Sequence, residues 1–339
     1  MGENMLHRRG FMTGVAAAAV LAASPIRAGA EAERSAIPGG AGSLSLLRRG
    51  ARGAPVLLVH PYSPGAAAAF DVPGFSWMEH LAGAGRDAWA FDLAGFGAST
   101  RPAAMEGPPA AAAPVERASD GLRDLDAVVT HVLATRGDSS LDFVGWSFGS
   151  VLAAMYAVQR PERVKRLGLL GSMHGFDLPF MAELFEEAPG VLKHDFPAYR
   201  SVTPAFALAH WDMMRKPLPD DTVGAETVKL VQEVLQASDP TRAPNVRQPT
   251  GPLVDLHSIW RNKPIYDAGA VKAPTLIVRG DRDLFADKGL VDKLTAAASR
   301  KEVVIENATH WVLYEKKRAE LIAAGGRWSC CSRSSSHPT

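Results

Sequence analysis

Cysteine is nearly absent from this chain of 339 residues, and its two cysteines, Cys330 and Cys331, are adjacent and close to the end. Adjacent cysteines bridge only with strain, and neither can link distant parts of a fold. The body of the protein must therefore be held together by burial of hydrophobic side chains, which make up 47% of its residues.

An excess of one charge is also lacking, because 37 Lys and Arg residues nearly balance 36 Asp and Glu residues. There is no electrostatic reason to expect a nucleic-acid partner. No run is long and apolar enough to predict stable membrane insertion. An H-E-x-x-H motif, a paired Cys/His set and a phosphate-cradling glycine loop are missing too, so no metal or nucleotide cofactor is expected.

The first thirty residues have the pattern of a targeting segment. In "HRRGFMTGVAAAAVLAAS", Arg8 and Arg9 precede an Ala-rich apolar run, and "AGA" at 28–30 offers a small-residue cleavage site. The segment resembles a bacterial twin-arginine export signal. The resemblance implies a signal peptide over residues 1–30 and a periplasmic or secreted protein.

Short apolar runs alternate with helical patterns along the rest of the chain. Near-continuous apolar runs of this length are typical of strands covered on both faces. The alternation predicts an α/β fold with a doubly wound, mostly parallel sheet. The predicted strands cover residues 55–60, 87–93, 141–147, 166–172, 274–281 and 302–310. The predicted helices cover residues 75–84, 115–135, 151–159 and 288–298.

Two stretches interrupt this alternation. Residues 101–114 are rich in Pro and Ala and predict a flexible surface loop. Residues 174–272 are far longer than a crossover needs and contain helical segments, so they predict an inserted helical cap. The core would then consist of residues 31–173 and 273–324. Residues 325–339 lack helical periodicity and are predicted to be disordered.

The pentapeptide "GWSFG" places Ser147 between Gly145 and Gly149, directly after a predicted strand and before a predicted helix. In a strand-to-helix turn this tight, glycine on each side avoids clashes that a Cβ would create. The new helix directs its first amides toward the serine, where negative charge can be stabilised.

The "GWSFG" motif is one of five that resemble motifs of the α/β-hydrolase fold superfamily and occur in the same order along the chain. The other four are "LLVHP", "FDLAGFGAST", "PTLIVRGDRDLF" and "NATHWVLYEK". The similarity covers most of residues 55–316. It implies that Ser147 is a nucleophile, that His310 is its base and that Asp283 orients the histidine. Asp281 is the alternative acid, since it is only two residues away. His60 is expected to support a neighbouring loop.

Stabilising an oxyanion requires backbone N–H donors. The resemblance implies the amide of Phe148 as one donor and an amide of the loop after "LLVH" as the other. Pro61 has no N–H group, so Tyr62 is expected to supply the second amide, with Ser63 as the alternative.

Several large side chains are expected around the serine or in the cap, where they would form an apolar substrate pocket. The predicted substrate-binding residues are Trp146, Met173, His174, Trp77, Trp211 and Trp260.

Three functions fit these residues. The first is hydrolysis of a small, apolar carboxylic ester or lactone through an acyl-enzyme. The second uses the same triad for carbon–carbon bond hydrolysis, amide cleavage or perhydrolysis. The third is a non-catalytic binding protein on the same fold. Epoxide hydrolases and haloalkane dehalogenases of this fold carry aspartate at the elbow, so Ser147 favours acyl transfer.

Overall fold

The computed structural model describes residues 32–50, 53–239 and 242–330, with side chains up to residue 326. The predicted signal peptide at 1–30 lies outside the described residues and stays a prediction. Residues 331–339 of the predicted disordered tail lie outside them as well.

A mostly parallel sheet of eight strands forms the centre of the described part of the chain. Its strands are β1 (Glu33–Gly39), β2 (Gly42–Arg49), β3 (Pro55–Val59), β4 (Asp87–Phe91), β5 (Leu141–Trp146), β6 (Val164–Leu170), β11 (Thr275–Gly280) and β12 (Arg300–Ile305); β7 to β10 belong to the insert described below. The order is β1-β2-β4-β3-β5-β6-β11-β12. Strands β1, β2 and β4 pair antiparallel, and every pairing from β4 to β12 is parallel. This confirms the predicted α/β fold and adds an unpredicted antiparallel hairpin, β1–β2, at one edge.

Helices cover both faces of the sheet. They are α1 (Ala66–Phe70), α2 (Trp77–Gly83), α3 (Ala118–Arg136), α4 (Phe148–Gln159), α10 (Leu290–Lys293) and α11 (Arg318–Cys330). All five residues of β3 are buried. Leu57 and Val59 join one core cluster with α3 and α4, whereas Val56 and Leu58 join the other with α1, α2 and α11. Burial on both faces explains why this strand is apolar throughout.

Residues between β6 and β11 form an insert of mixed structure. It contains helices α5 (Pro179–Ala182), α6 (Pro204–Ala207), α7 (Ala209–Arg215), α8 (Ala225–Ala237) and α9 (Gly251–Trp260), and strands β7 (Glu186–Ala188), β8 (Val191–Leu192), β9 (Tyr199–Val202) and β10 (Val246–Pro249). Strands β9 and β10 pair antiparallel, as do β7 and β8. The insert therefore combines helices with two β-ribbons, where the sequence pattern predicts helices alone.

The Pro/Ala-rich segment 101–114 packs against the β9–β10 ribbon. The Tyr199 hydroxyl donates to the Gly107 carbonyl at 2.8 Å, and the Ala198 amide donates to the Pro109 carbonyl at the same distance. Met105 is fully buried against Tyr199. This segment, expected as a flexible surface loop, thus links the core to the insert.

Helix α11 continues to Cys330, so its last six residues fall inside the segment 325–339 that the sequence predicts to be disordered. Leu321 and Ala324 are its buried contacts with the sheet. None of the helices in the described ranges is both long and apolar enough to cross a membrane.

Candidate active site

Ser147 occupies the turn between β5 and α4, at the carboxyl edge of the parallel strands. Its backbone has φ 57° and ψ −123°, a conformation that a residue with a side chain rarely adopts. Its amide donates to the Leu170 carbonyl of the neighbouring strand at 2.9 Å. The sheet therefore holds the serine in a strained geometry, as occurs at functional sites.

Gly149 allows the turn to pack tightly against the loop after β3. A Cβ at this position would lie 2.1 Å from the Val59 carbonyl oxygen and 2.4 Å from that of His60. Only glycine fits there, and the close approach brings the loop that carries Tyr62 next to the serine turn.

His310 and Asp283 form a buried pair. His310 Nδ1 lies 2.8 Å from Asp283 Oδ2, and the two side chains are only 3% and 1% exposed. The other carboxylate oxygen, Oδ1, accepts the amides of Phe285 at 2.9 Å and Ala286 at 3.2 Å. Asp281 instead accepts the Ala308 amide at 3.2 Å. Of the two candidate acids, the structure brings Asp283 to the histidine.

Gly171 connects this pair to the serine turn. It directly follows Leu170, which accepts the Ser147 amide. A Cβ at Gly171 would lie 2.7 Å from His310 Nδ1 and 2.8 Å from Asp283 Oδ2. The carboxyl ends of β5, β6, β11 and β12 thus bring the serine, histidine and aspartate to one edge of the sheet.

Trp146 holds the backbone of the segment that carries His310. Its indole nitrogen donates to the His310 carbonyl at 3.1 Å, and the side chain is completely buried. Trp211 has a similar place, because it stacks on Trp311 with ring centroids 5.0 Å apart and donates to Glu315 at 2.9 Å. Both indoles were expected to contact substrate, but they lie in the core and hold the histidine segment.

His60 is fixed in one neutral form. Its Nε2 accepts the Leu93 amide at 3.0 Å, so the proton resides on Nδ1, which lies 2.6 Å from the Pro61 carbonyl oxygen. Burial lowers the pKa of this imidazole. With both nitrogens engaged, His60 holds the loop in the way the sequence predicts.

Tyr62 lies on that loop and is buried. Its ring packs edge-on against Phe96 with centroids 6.0 Å apart. Its hydroxyl is buried and has the Arg200 guanidinium as its polar neighbour. Burial raises the pKa of this phenol, while the nearby Arg200 opposes that shift. At the opposite side of the serine, Phe148 is the first residue of α4, where amides lack an intrahelical acceptor.

Met173 and His174 follow β6 and are buried beside the site, where His174 Nε2 lies 3.0 Å from the Tyr266 carbonyl oxygen. Burial lowers the pKa of His174. Trp260 reaches the site through Phe285, with ring centroids 6.1 Å apart. Its buried indole nitrogen has no partner in the described part of the chain.

Trp77 lines a cavity of about 410 Å³ whose lining includes His80, Asp142, Leu170 and Leu321 and none of Ser147, His310 and Asp283. Its ring packs against Phe70, with centroids 6.3 Å apart. A substrate contact of Trp77 stays a prediction.

Three residues beside the site were not predicted from the sequence: Phe285, His210 and Arg200. The Phe285 ring lies 5.3 Å from those of His310 and His210. His210 accepts the Trp311 indole N–H at 2.9 Å, and burial together with the charges of His310 and Arg200 lowers its pKa to about 3. Phe285 ends the motif "PTLIVRGDRDLF", whose signal pointed to the acid, whereas His210 and Arg200 belong to no motif because they approach the triad only once the insert has packed over the sheet.

Among the described residues, no group of three or more His, Cys, Asp or Glu side chains is arranged to hold a metal ion.

Residues 55–317 match the family model for the alpha/beta hydrolase fold. No curated protein matches the sequence.

Solved structures resemble the chain over most of its length. An epoxide hydrolase from Vigna radiata superposes with a TM-score of 0.60 at 15% identity, covering 90% of this chain and 98% of that one. A thermophilic esterase from Thermogutta terrifontis, with malate bound, gives 0.59 at 18% identity, covering 88% and 98%. A thioesterase domain from the curacin biosynthetic pathway gives 0.57 at 18% identity, covering 86% and 99%. At these identities the resemblance establishes the fold.

Proposed function

The chain belongs to the alpha/beta hydrolase fold family, and from this premise we propose that it is a serine hydrolase that cleaves carboxylic esters, lactones included, through an acyl-enzyme. The observation that carries the proposal is the buried His310–Asp283 pair, whose Nδ1 and Oδ2 atoms lie 2.8 Å apart. The pair packs against Gly171, and the preceding residue, Leu170, accepts the Ser147 amide.

In the proposed first half-reaction, Ser147 Oγ attacks the substrate carbonyl carbon. His310 Nε2 takes the serine proton, and Asp283 Oδ2 accepts the Nδ1–H bond, which fixes the tautomer and stabilises the imidazolium. The amides of Phe148 and Tyr62 are the proposed donors to the carbonyl oxygen as it becomes negative. The tetrahedral intermediate then collapses, the bond to the alcohol oxygen breaks, and His310 returns the proton to that oxygen.

In the second half-reaction, water replaces the serine as nucleophile. His310 takes a proton from the water as its oxygen bonds to the acyl carbon, and then returns a proton to Ser147 Oγ as the acyl–serine bond breaks. The products are a carboxylic acid and free enzyme.

The serine itself argues for a carbonyl substrate. Opening of an epoxide by Ser147 would leave an ether on the enzyme, which has no carbonyl for water to attack. An acyl–serine ester is open to that attack, so the cycle can be completed.

Ser147→Ala tests the proposal. The purified protein should hydrolyse 4-nitrophenyl hexanoate, and the variant should lose at least about 10³-fold in kcat/KM. A fluorophosphonate probe should label the original protein and not the variant. Ser150→Ala is a matched control, because Ser150 is a completely buried neighbour whose hydroxyl donates to the Ser147 carbonyl. Undiminished hydrolysis by folded Ser147→Ala protein would refute the assignment.

A further inference from the structure

Arg200 lies on β9 of the insert, and its guanidinium reaches the loop opposite the serine turn. Its Cζ is 5.0 Å from the centroid of the Tyr62 ring. Its Nε donates to Gln248 Oε1 at 2.8 Å, and Gln248 Nε2 lies 2.5 Å from Ser63 Oγ. The arginine thus sits above the loop that the Gly149 contact places beside Ser147.

The β9–β10 ribbon presets this position. Arg200 and Gln248 are direct cross-strand partners, so their side chains share one face of the ribbon. Gln248 is only 2% exposed, and its amide bridges the arginine to Ser63. The Nε–H group bonds to Gln248 and the guanidinium also interacts with the Tyr62 hydroxyl, which leaves N–H groups for a further partner.

Arg200 differs from the other arginines of the insert in its charge balance. Arg215, Arg242, Arg247 and Arg261 each form an ion pair with a carboxylate. Within the described ranges, no carboxylate lies at ion-pair distance from Arg200. An arginine that is half-buried and lacks an internal anion is suited to bind one from a ligand.

The Tyr62 ring lies beneath Arg200, and its buried hydroxyl has the guanidinium as its polar neighbour. A neutral phenol does not balance the positive charge of the arginine, so the guanidinium still lacks an anion.

We infer that Arg200, held by Gln248 over the Tyr62 ring, binds a carboxylate of the substrate, so that the ester cleaved at Ser147 carries a negative charge a few carbons from its carbonyl. This inference rests on the proposed function and specifies its substrate class. It revises the expectation of a wholly apolar substrate: the apolar part lies against rings such as Phe285, and the anion lies at Arg200.

Kinetics on a matched pair of esters test the inference. The mono-4-nitrophenyl ester of adipic acid carries the anion, and 4-nitrophenyl hexanoate replaces the carboxylate by a methyl group. The protein should prefer the anionic ester by at least tenfold in kcat/KM. Arg200→Gln should lose at least tenfold on the anionic ester, chiefly through KM, and less than threefold on the neutral one. On the anionic ester, kcat/KM of Arg200→Lys should lie between the values of the original protein and of Arg200→Gln. Arg215→Gln removes an ion-paired arginine from the same insert and should leave kcat/KM on both esters unchanged.

Two kinetic results would overturn the inference. One is an original protein without preference for the anionic ester. The other is an Arg200→Gln variant that slows both esters equally, which would make the arginine a structural tie between insert and loop.

A binding measurement separates this inference from the proposed function. If neither ester is hydrolysed and Ser147 is not labelled, the proposed function has failed, and calorimetry with monomethyl adipate decides about Arg200. Binding that weakens at least tenfold in Arg200→Gln supports the anion site. Absence of binding, or equal binding to both proteins, overturns it.

Discussion

The indole nitrogen of Trp146 donates to the backbone carbonyl of His310 at 3.1 Å. The residue before the nucleophile thereby holds the segment that carries the base, although 164 positions separate the two in the chain. The alignment of serine and histidine depends on this bond as well as on the sheet.

Trp146→Phe removes the bond and keeps most of the buried ring. We expect kcat/KM for an ester to fall about tenfold, and unfolding to cost about 1 kcal/mol less, because the carbonyl loses its donor. Urea unfolding and steady-state kinetics measure the two effects. Trp77→Phe is the matched control, since this buried indole lines the cavity of about 410 Å³, whose lining includes no triad residue, and it should leave kcat/KM unchanged. Equal kinetic losses in the two variants would contradict the prediction.

Replacing each acid by its amide separates Asp283 from Asp281. Asp283→Asn should reduce kcat/KM about 10³-fold, since an amide at Oδ2 no longer favours the required tautomer of His310. Asp281→Asn should stay within a few-fold, because its carboxylate bonds to the Ala308 amide and an amide oxygen can replace it. If Asp281→Asn proved the slower enzyme, the assignment of the acid would be reversed.

Gly171→Ala should inactivate the site while the protein stays folded. The new Cβ would lie 2.7 Å from His310 Nδ1 and 2.8 Å from Asp283 Oδ2, so the pair must move apart, and kcat/KM should fall at least about 10²-fold. Gly137→Ala is the control, because Gly137 also has a positive φ, 68°, but has open space around it. It should cost only about 1 kcal/mol of stability. Full activity of Gly171→Ala would show that the pair is more mobile than this contact allows.

Acid should destabilise the protein through its buried histidines. His210 has a folded pKa of about 3 against an ordinary value of 6.5, so the unfolded chain binds a proton that the folded protein excludes. The contribution of His210 to the free energy of unfolding is therefore fully present above pH 6.5 and is lost as the pH falls toward 3. Burial lowers the pKa of His60 and His174 in the same direction.

His210→Gln should lose less stability than the original protein between pH 7.5 and pH 5, since glutamine can accept the Trp311 N–H without titrating. Thermal melts at the two pH values provide the measurement. His194→Gln is the control: this exposed imidazole has its pKa raised by Glu187, so its small contribution has the opposite sign. An unchanged acid response in His210→Gln would show that the imidazole is accessible to water.

Much of the core architecture was predictable because the parallel strands are buried on both faces. Strand β3 is apolar along its whole length and β5 is apolar apart from Asp142, which makes both visible as runs in the sequence. The β1–β2 hairpin was not predicted, since β1 is mostly exposed and its sequence shows no alternation of apolar and polar residues. Helix α1 is only five residues long, too short for a periodic pattern.

The sequence by itself determined the α/β fold and placed Ser147, the candidate acids Asp281 and Asp283, and His310 at successive strand ends. These residues meet because the carboxyl ends of parallel strands lie at one edge of the sheet, whatever the chain does between them. Only the tertiary structure decided that Asp283 and not Asp281 meets the histidine, that Trp146 and Trp211 support it from the core, and that Arg200 faces Tyr62. These relationships depend on side-chain direction and on how the insert packs over the sheet. Both arise from contacts between residues far apart in the chain, which leave no periodic signal along it.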